Sequence, residues 1–283
     1  MAIEVPILSL GSCFSVEMGE RLKNIGCEVL INPFGVLYNP ASIANSLHML
    51  EDPDFRFRDS DVIERDPYYC AKRNVKGGES VPLSPEEGHR PIAPCIGGFT
   101  SYFHHGSFTR ATEEKFLADA NASLALARTF YGTARTVIVT FGTAWVFRNL
   151  ERNLIVSNCH KHRADEFRRE RLSVEDIVRM WLPILEKSDK KWIFTVSPIR
   201  HPKDGLHGNQ LSKSILLLAC EELCSRFPES LAYFPSYELM LDELRDFKWY
   251  KDDKIHPSEE AVDYIFSRFV TETYVRSVIR PDG

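Results

Sequence analysis

Short apolar runs alternate along this chain with segments whose apolar residues recur at helical spacing, and the alternation organises most of its length. The first run, residues 5–10, delivers Gly11 and Ser12 at its end, and a helical pattern follows over about 15–24. Residues 27–31 read as a second strand, closed by Asn32, Pro33, Phe34 and Gly35, whose proline and glycine mark a loop. Residues 40–50 place Ile43, Leu47 and Leu50 on one helical face. A helix over about 112–131 is announced by Thr112 as N-cap and by Glu113 and Glu114 in its first turn. The strand at 135–141 has the near-continuous Val-Ile-Val run of a central parallel strand. Residues 145–147 and 154–156 form a hairpin pattern. Beyond it the spacing predicts helices at 174–187 and 211–227, a strand at 192–196 and a short one at 231–234, then helices near 237–247 and over 259–275.

Strands alternating with helices predict an α/β fold with a doubly wound, central parallel sheet, in a single domain over 1–283. Between about 51 and 108 the pattern changes. Alternating pieces around Phe55 and Phe57, then Gly77, Gly78, Pro82, Pro85, Pro91 and Pro94, predict an irregular β-rich insertion of the kind that roofs an active site. Its last stretch, Tyr102 to Phe108, mixes aromatics with His104 and His105 and would suit a substrate wall. No internal repeat interrupts this organisation.

Composition narrows the function. With 283 residues, 43% hydrophobic and 27% charged, the chain can bury a substantial core. A net charge of −5 lacks the basic excess needed to neutralise phosphates, so no nucleic-acid partner is expected. The cluster Arg168, Arg169, Glu170, Arg171 mixes signs and reads as a solvated helical face. Seven cysteines (13, 27, 70, 95, 159, 220 and 224) form no CxxC pair, which fits free thiols in a reducing compartment. The first residues lack the basic start and apolar core of an export signal, and no later run reaches membrane-spanning length. The expectation is a soluble cytoplasmic protein without a membrane partner.

Candidate chemistry sits at the two ends of the chain. Ser12, at the carboxyl end of a strand in an open α/β sheet, stands where such sheets bind ligands, although on position alone a serine there is more often an ordinary helix cap. Far along the chain, Asp253 precedes His256 by three residues in a polar turn, close enough for a carboxylate to fix an imidazole tautomer. Together they supply nucleophile, base and orienter. Asp252 is an alternative orienter. His160, Lys161, Arg200 and His201 form a second polar set just beyond predicted strands, suited to shaping a substrate pocket. Their spacing matches no closed zinc pattern, so no metal is expected. The glycines of the 204–209 loop, Gly205 and Gly208, read as turns.

Gly11 to Ser15 resembles the signature of the GSCFA-domain family, a branch similar to the SGNH (GDSL-like) hydrolases. Residues 32–40 (NPFGVLYNP), 140–145 (TFGTAW), 158–161 (NCHK), 197–201 (SPIRH) and 253–257 (DKIHP) fit it in order. The resemblance implies a flavodoxin-like three-layer α/β/α fold and ester hydrolysis through Ser12, with His256 as general base and Asp253 orienting it. It also implies an oxyanion hole built from the N–H groups of Ser12 and Gly35 and from the Gly142-Thr143-Ala144 turn. Where the wider superfamily has an asparagine in that turn, this chain has Ala144. Thr143, Asn158 or Asn209 could take over, and one donor is typically worth about 3 kcal/mol of transition-state stabilisation.

The leading expectation is a serine esterase on small acyl groups, acetyl above all, carried on a small molecule or carbohydrate and needing no cofactor. His160, Arg200, His201 and Asn158 are the expected substrate contacts. An O-acyltransferase on a sugar, a non-catalytic carbohydrate- or protein-binding module, and a metal-dependent hydrolase through His160 and His201 are the alternatives.

Overall fold

A computed structural model describes residues 3–65 and 97–273. Gly77, Gly78, Pro82, Pro85, Pro91, Pro94, Cys70 and Cys95 lie outside the described residues, as do the last residues of the expected final helix. The chain alternates β1 (Ile7–Gly11), α1 (Cys13–Asn24), β2 (Val29–Ile31) and α2 (Pro40–Glu51), with an antiparallel pair, β3 (Val62–Arg65) and β4 (Gly98–Ser101), inserted before α3 (Glu113–Thr133). Next come β5 (Thr136–Phe141), three strands β6 (Trp145–Asn149), β7 (Leu154–Val156) and β8 (Phe167–Arg171), then α4 (Val174–Lys187), β9 (Lys191–Val196), α5 (Gly205–Arg226), β10 (Leu231–Phe234) and α6 (Glu259–Glu272).

Five of these strands make the central sheet, in the order β10-β9-β5-β1-β2 and all parallel. Taken in chain order this is the 2-1-3-4-5 arrangement of flavodoxin-like folds, whose ligand crevice opens where the winding reverses, between the first and third strands. Here that is the gap between β1 and β5. Alternation along each strand divides the core into two layers. Val137, Val139, Phe141, Trp192, Phe194 and Val196 pack with α2, α3, α4 and α5, whereas Ile7, Ile138 and Ile193 pack with α1 and α6. Phe141, Trp181, Trp192 and Phe194 meet edge to face at 5.0–6.2 Å, and burying each large apolar side chain stabilises by about 1.5–3 kcal/mol.

Three expectations are corrected. The Arg168–Arg171 cluster is strand β8, not a helical face: it pairs antiparallel with β6, and Glu170 on it meets Arg148 across the pair at 3.2 Å. Gly205 and Gly208 lie inside the first turns of α5, which starts six residues before the expected position. The expected helix near 237–247 is a short helical turn, Ser236–Glu238, running into a π-turn at Leu239–Glu243. Among the described residues no helix is long and apolar enough to cross a membrane, and the five described cysteines are free thiols.

Candidate active site

Gly11 ends β1 with φ +138°, and a Cβ there would sit 2.2 Å from Thr140 O, so only glycine lets β1 close on β5 at this point. The next residue is therefore released from the sheet edge directly into the switch-point crevice. Ser12 is the N-cap residue of α1 but makes no side-chain capping bond. Its Oγ is buried and has no hydrogen-bond partner, in contrast to its neighbours. Ser9 Oγ donates to Ser15 O at 3.2 Å, and Ser15 Oγ donates to Ser12 O at 2.7 Å while accepting from Asn32 Nδ2 at 2.8 Å. Of the three serines, Ser12 alone keeps an uncommitted hydroxyl, and it lines a cleft of about 810 Å³.

His256 lines the same cleft. Its Nδ1 lies 2.7 Å from Asp253 Oδ2, and Asp253 Oδ1 accepts from the N–H groups of Ile255 at 2.9 Å and His256 at 3.0 Å. Desolvation works against the Asp253 carboxylate, but these donors outweigh it and hold its pKa down at about 2. Asp253, and not Asp252, therefore meets the ring, and an ionised partner on Nδ1 leaves Nε2 as the nitrogen that faces a reacting group. The turn is tied in place: Lys251 N–H donates to His256 O at 2.7 Å, and Arg200 N–H donates to Ile255 O at 3.2 Å. No hydrogen bond joins Ser12 Oγ to His256, and such contacts commonly tighten only when substrate binds.

Charges clasp the elements that carry these two residues. Arg21 on α1 donates to Glu259 at 3.0 Å and Asp263 at 2.7 Å on α6, and Lys251 in the turn pairs with Glu259 at 2.9 Å.

The implied oxyanion donors are placed differently from expectation. Ser12 N–H donates to Thr140 O at 3.1 Å, and Thr143 N–H to Tyr38 O at 2.9 Å. Thr143 Oγ1 is engaged by Ser212 Oγ at 3.0 Å and by Trp145 N–H at 3.1 Å. Gly35 is corrected outright: its N–H donates to Asn32 O at 2.7 Å, it does not line the cleft, and its missing Cβ makes room for His105 instead. Ala144 is fully buried. Sequence reasoning missed Asn39. This residue lines the cleft, and its Oδ1 accepts from Ser42 N–H at 2.8 Å as the N-cap of α2, which leaves Nδ2 as the end of the amide free to donate. It follows Tyr38, whose carbonyl also holds Gly142 N–H at 2.8 Å, and the missing Cβ of Gly142 would lie 3.3 Å from Ser12 Cβ. The signal was present as Asn-Pro at a helix start. The first two amides of α1, those of Cys13 and Phe14, are the other donors at this edge without a helical acceptor, whereas Ser15 N–H donates to Ser12 O at 2.9 Å.

Among the expected substrate contacts, Asn158, Arg200 and His201 line the cleft. His160 does not. It is 2% exposed, its Nε2 lies 2.8 Å from Ser101 O, and burial drives its pKa down to about 3, so it is a packed neutral histidine rather than a ligand. His160 thus does not share the cleft with His201, and among the described residues no group of three or more His, Cys, Asp or Glu side chains is placed to hold a metal ion. Asn209 accepts from His201 N–H at 3.0 Å and faces a neighbouring cavity. The Tyr102 to Phe108 stretch also stays out of the cleft, with His104 packed against Phe57 and Phe108 at 4.7 and 4.5 Å. Among the described residues the β6-β7-β8 sheet supplies one wall of the cleft, through Trp145, Phe147, Phe167 and Arg169, while residues 66–96 of the expected roof lie outside the described residues.

Beneath the floor lies a second residue that the sequence did not disclose. Lys213 on α5 is fully buried, and its Nζ donates at 2.7 Å to Gly142 O and to Ser197 O, the carbonyls just past β5 and β9. Burial pulls its pKa down to about 7. His201 nearby is held down at about 4, by burial first and then by Lys213.

A flavodoxin-like sheet with an uncommitted serine at its switch point, in one cleft with a carboxylate-held histidine, defines an α/β protein with a candidate active site. The chain belongs to the GSCFA family, which it matches over residues 6–269. No curated protein matches it.

Proposed function

We propose that the chain is a carboxylic-ester hydrolase of the SGNH type, removing small acyl groups, acetyl above all, from a small-molecule or carbohydrate ester. The observation that carries this reading is the pairing in one cleft of Ser12, whose Oγ is the only unengaged hydroxyl of its motif, with His256, whose Nδ1 is held by Asp253 at 2.7 Å. Ser12 Oγ attacks the ester carbonyl as His256 Nε2 takes its proton, and Asp253 stabilises the imidazolium that results. Asn39 Nδ2 and the first amides of α1, at the positive end of the helix dipole, receive the oxyanion. His256 then returns the proton to the departing alcohol oxygen. Water repeats the sequence on the acyl-enzyme and frees the acid, while a sugar hydroxyl in water's place gives O-acyl transfer.

One observation favours a second reading, a non-catalytic binding module: Ser12 N–H, Gly35 N–H and Thr143 N–H all have acceptors within the protein. A fluorophosphonate probe read by intact mass separates the two. The esterase reading expects one adduct on the native chain and none on Ser12→Ala; an unlabelled native chain favours the binding module.

A further inference from the structure

Arg200 stands between two cavities. The cleft containing Ser12 and His256, and a neighbouring cavity of about 340 Å³, both take Arg200, His201 and Pro202 as lining. The cleft presents Lys161, Arg169, Arg200 and Lys203 against a single lining carboxylate, Asp204, which already pairs with Arg169. The second cavity presents Arg200 and Arg245 and no lining carboxylate. In a chain of net charge −5, the lining of this cleft is thus opposite in sign to the chain as a whole.

Within that opening Arg200 is distinctive. Its guanidinium carbon lies 5.5 Å from the ring centres of both Phe247 and Tyr250, which hold the plane of the group. Its Nη1 reaches Lys254 O at 3.4 Å, and its main-chain N–H donates to Ile255 O at 3.2 Å. Rings and carbonyls are thus its partners among the described residues, with no carboxylate among them. A guanidinium carries five N–H donors in a planar fork that matches carboxylate and phosphate oxygens two at a time. An Arg already ordered by aromatic stacking loses less side-chain freedom on binding than a mobile one. From the loop after β9 it is hydrogen-bonded to the turn that carries His256, so an anion bound there is fixed beside that histidine.

We propose that the ester's alcohol portion is anionic, an acylated acidic sugar or sugar phosphate, and that Arg200 binds its carboxylate or phosphate across the ridge between the two cavities. The ester itself rests on the hydrolase reading above; the anion rests on the cleft alone.

The test therefore begins with binding. Titration of Ser12→Ala at low salt with methyl glucuronide, methyl glucoside 6-phosphate and uncharged methyl glucoside should show at least one charged sugar binding about tenfold or more tighter than the neutral one. The carboxylate and phosphate arms identify which anion is preferred. The preference should shrink with added salt and collapse toward unity when Arg200→Gln is added, with Arg200→Lys restoring part of it. Equal affinities, tighter binding of the neutral sugar, or no saturable binding of either charged sugar overturn the proposal. Turnover of the O-acetylated forms by the native chain is the second arm. If no ester is cleaved while the charge preference persists, the hydrolase reading falls and the anion site stands; if neutral and charged esters are cleaved equally, only the anion site falls.

Discussion

Lys213 donates from the middle of α5 to Ser197 O at 2.7 Å, and with its second bond, to Gly142 O, it holds the ends of β9 and β5 from below. Both strand ends lead directly into cleft residues, Thr143 on one side and Ile199 to His201 on the other.

Lys213→Met should leave two buried carbonyls unsatisfied and destabilise the fold by about 3 kcal/mol or more in denaturant titration. It should also alter the pH dependence. Above about 7 the native chain has released a proton that the unfolded chain keeps up to 10.5, so this group adds stability as pH rises across that window. The native chain should gain stability between pH 7 and 9.5 relative to Lys213→Met, and parallel curves would show that Lys213 keeps an ordinary pKa when buried.

Asp253→Asn should lower kcat on a small acetyl ester by on the order of 10³-fold or more, because an amide neither fixes the His256 tautomer nor stabilises its cation. Asp252→Asn, which lacks the contact, should stay within about twofold. Equal losses in the two variants would exclude Asp253 as orienter.

Asn39→Asp keeps the oxygen that caps α2 at Ser42 N–H, exchanges the amide donor for a second acceptor, and places its negative charge at the positive end of the α2 dipole. Expected are an unchanged melting temperature, an unchanged KM and a kcat lower by about 10²–10³-fold. A loss of stability in parallel with the loss of rate would mark Asn39 as a structural cap alone.

Burial holds His104 and His160 down at about 3 and His201 at about 4, against an ordinary value of 6.5. As pH falls from 6.5 toward 4 the unfolded chain takes up protons that these rings refuse, so their contribution to stability is lost in that range. His160→Gln retains a donor for Ser101 O and removes one titrating ring. Urea midpoints at pH 7 and pH 5 should therefore differ less in the variant than in the native chain.

Much of this architecture was legible because burial on both faces writes itself into sequence. The runs that became β5 and β9 are apolar at nearly every position, and Thr112 caps α3 as its sequence context announced. β8 was not legible, since its stability comes from cross-strand charge and from Arg169 lying 4.1 Å over Trp145, neither of which has a local hydrophobic signature. At the site, Ser12 and the Asp253–His256 pair could be named because they are local: a serine after a strand and a carboxylate one turn from an imidazole. Gly35 and His160 could not be judged, because the Asn32 and Ser101 carbonyls that engage them are set by loop geometry and by long-range packing. Lys213 looked like any lysine on a helix. Only the convergence of two strand ends above it makes its ammonium group a structural centre.

The charged clasp from Arg21 to Glu259 and Asp263 joins residues more than 230 positions apart. During synthesis, β1 cannot become a central strand until β5 has left the ribosome, and Ser12 then waits for a turn and helix that follow all five strands of the sheet. A nascent chain in which the sheet has formed but α6 has not docked carries a shaped crevice and a placed serine with no base. If the esterase reading holds, acyl transfer is withheld until α6 docks, and the appearance of probe labelling during refolding should report the docking of α6 rather than the assembly of the sheet.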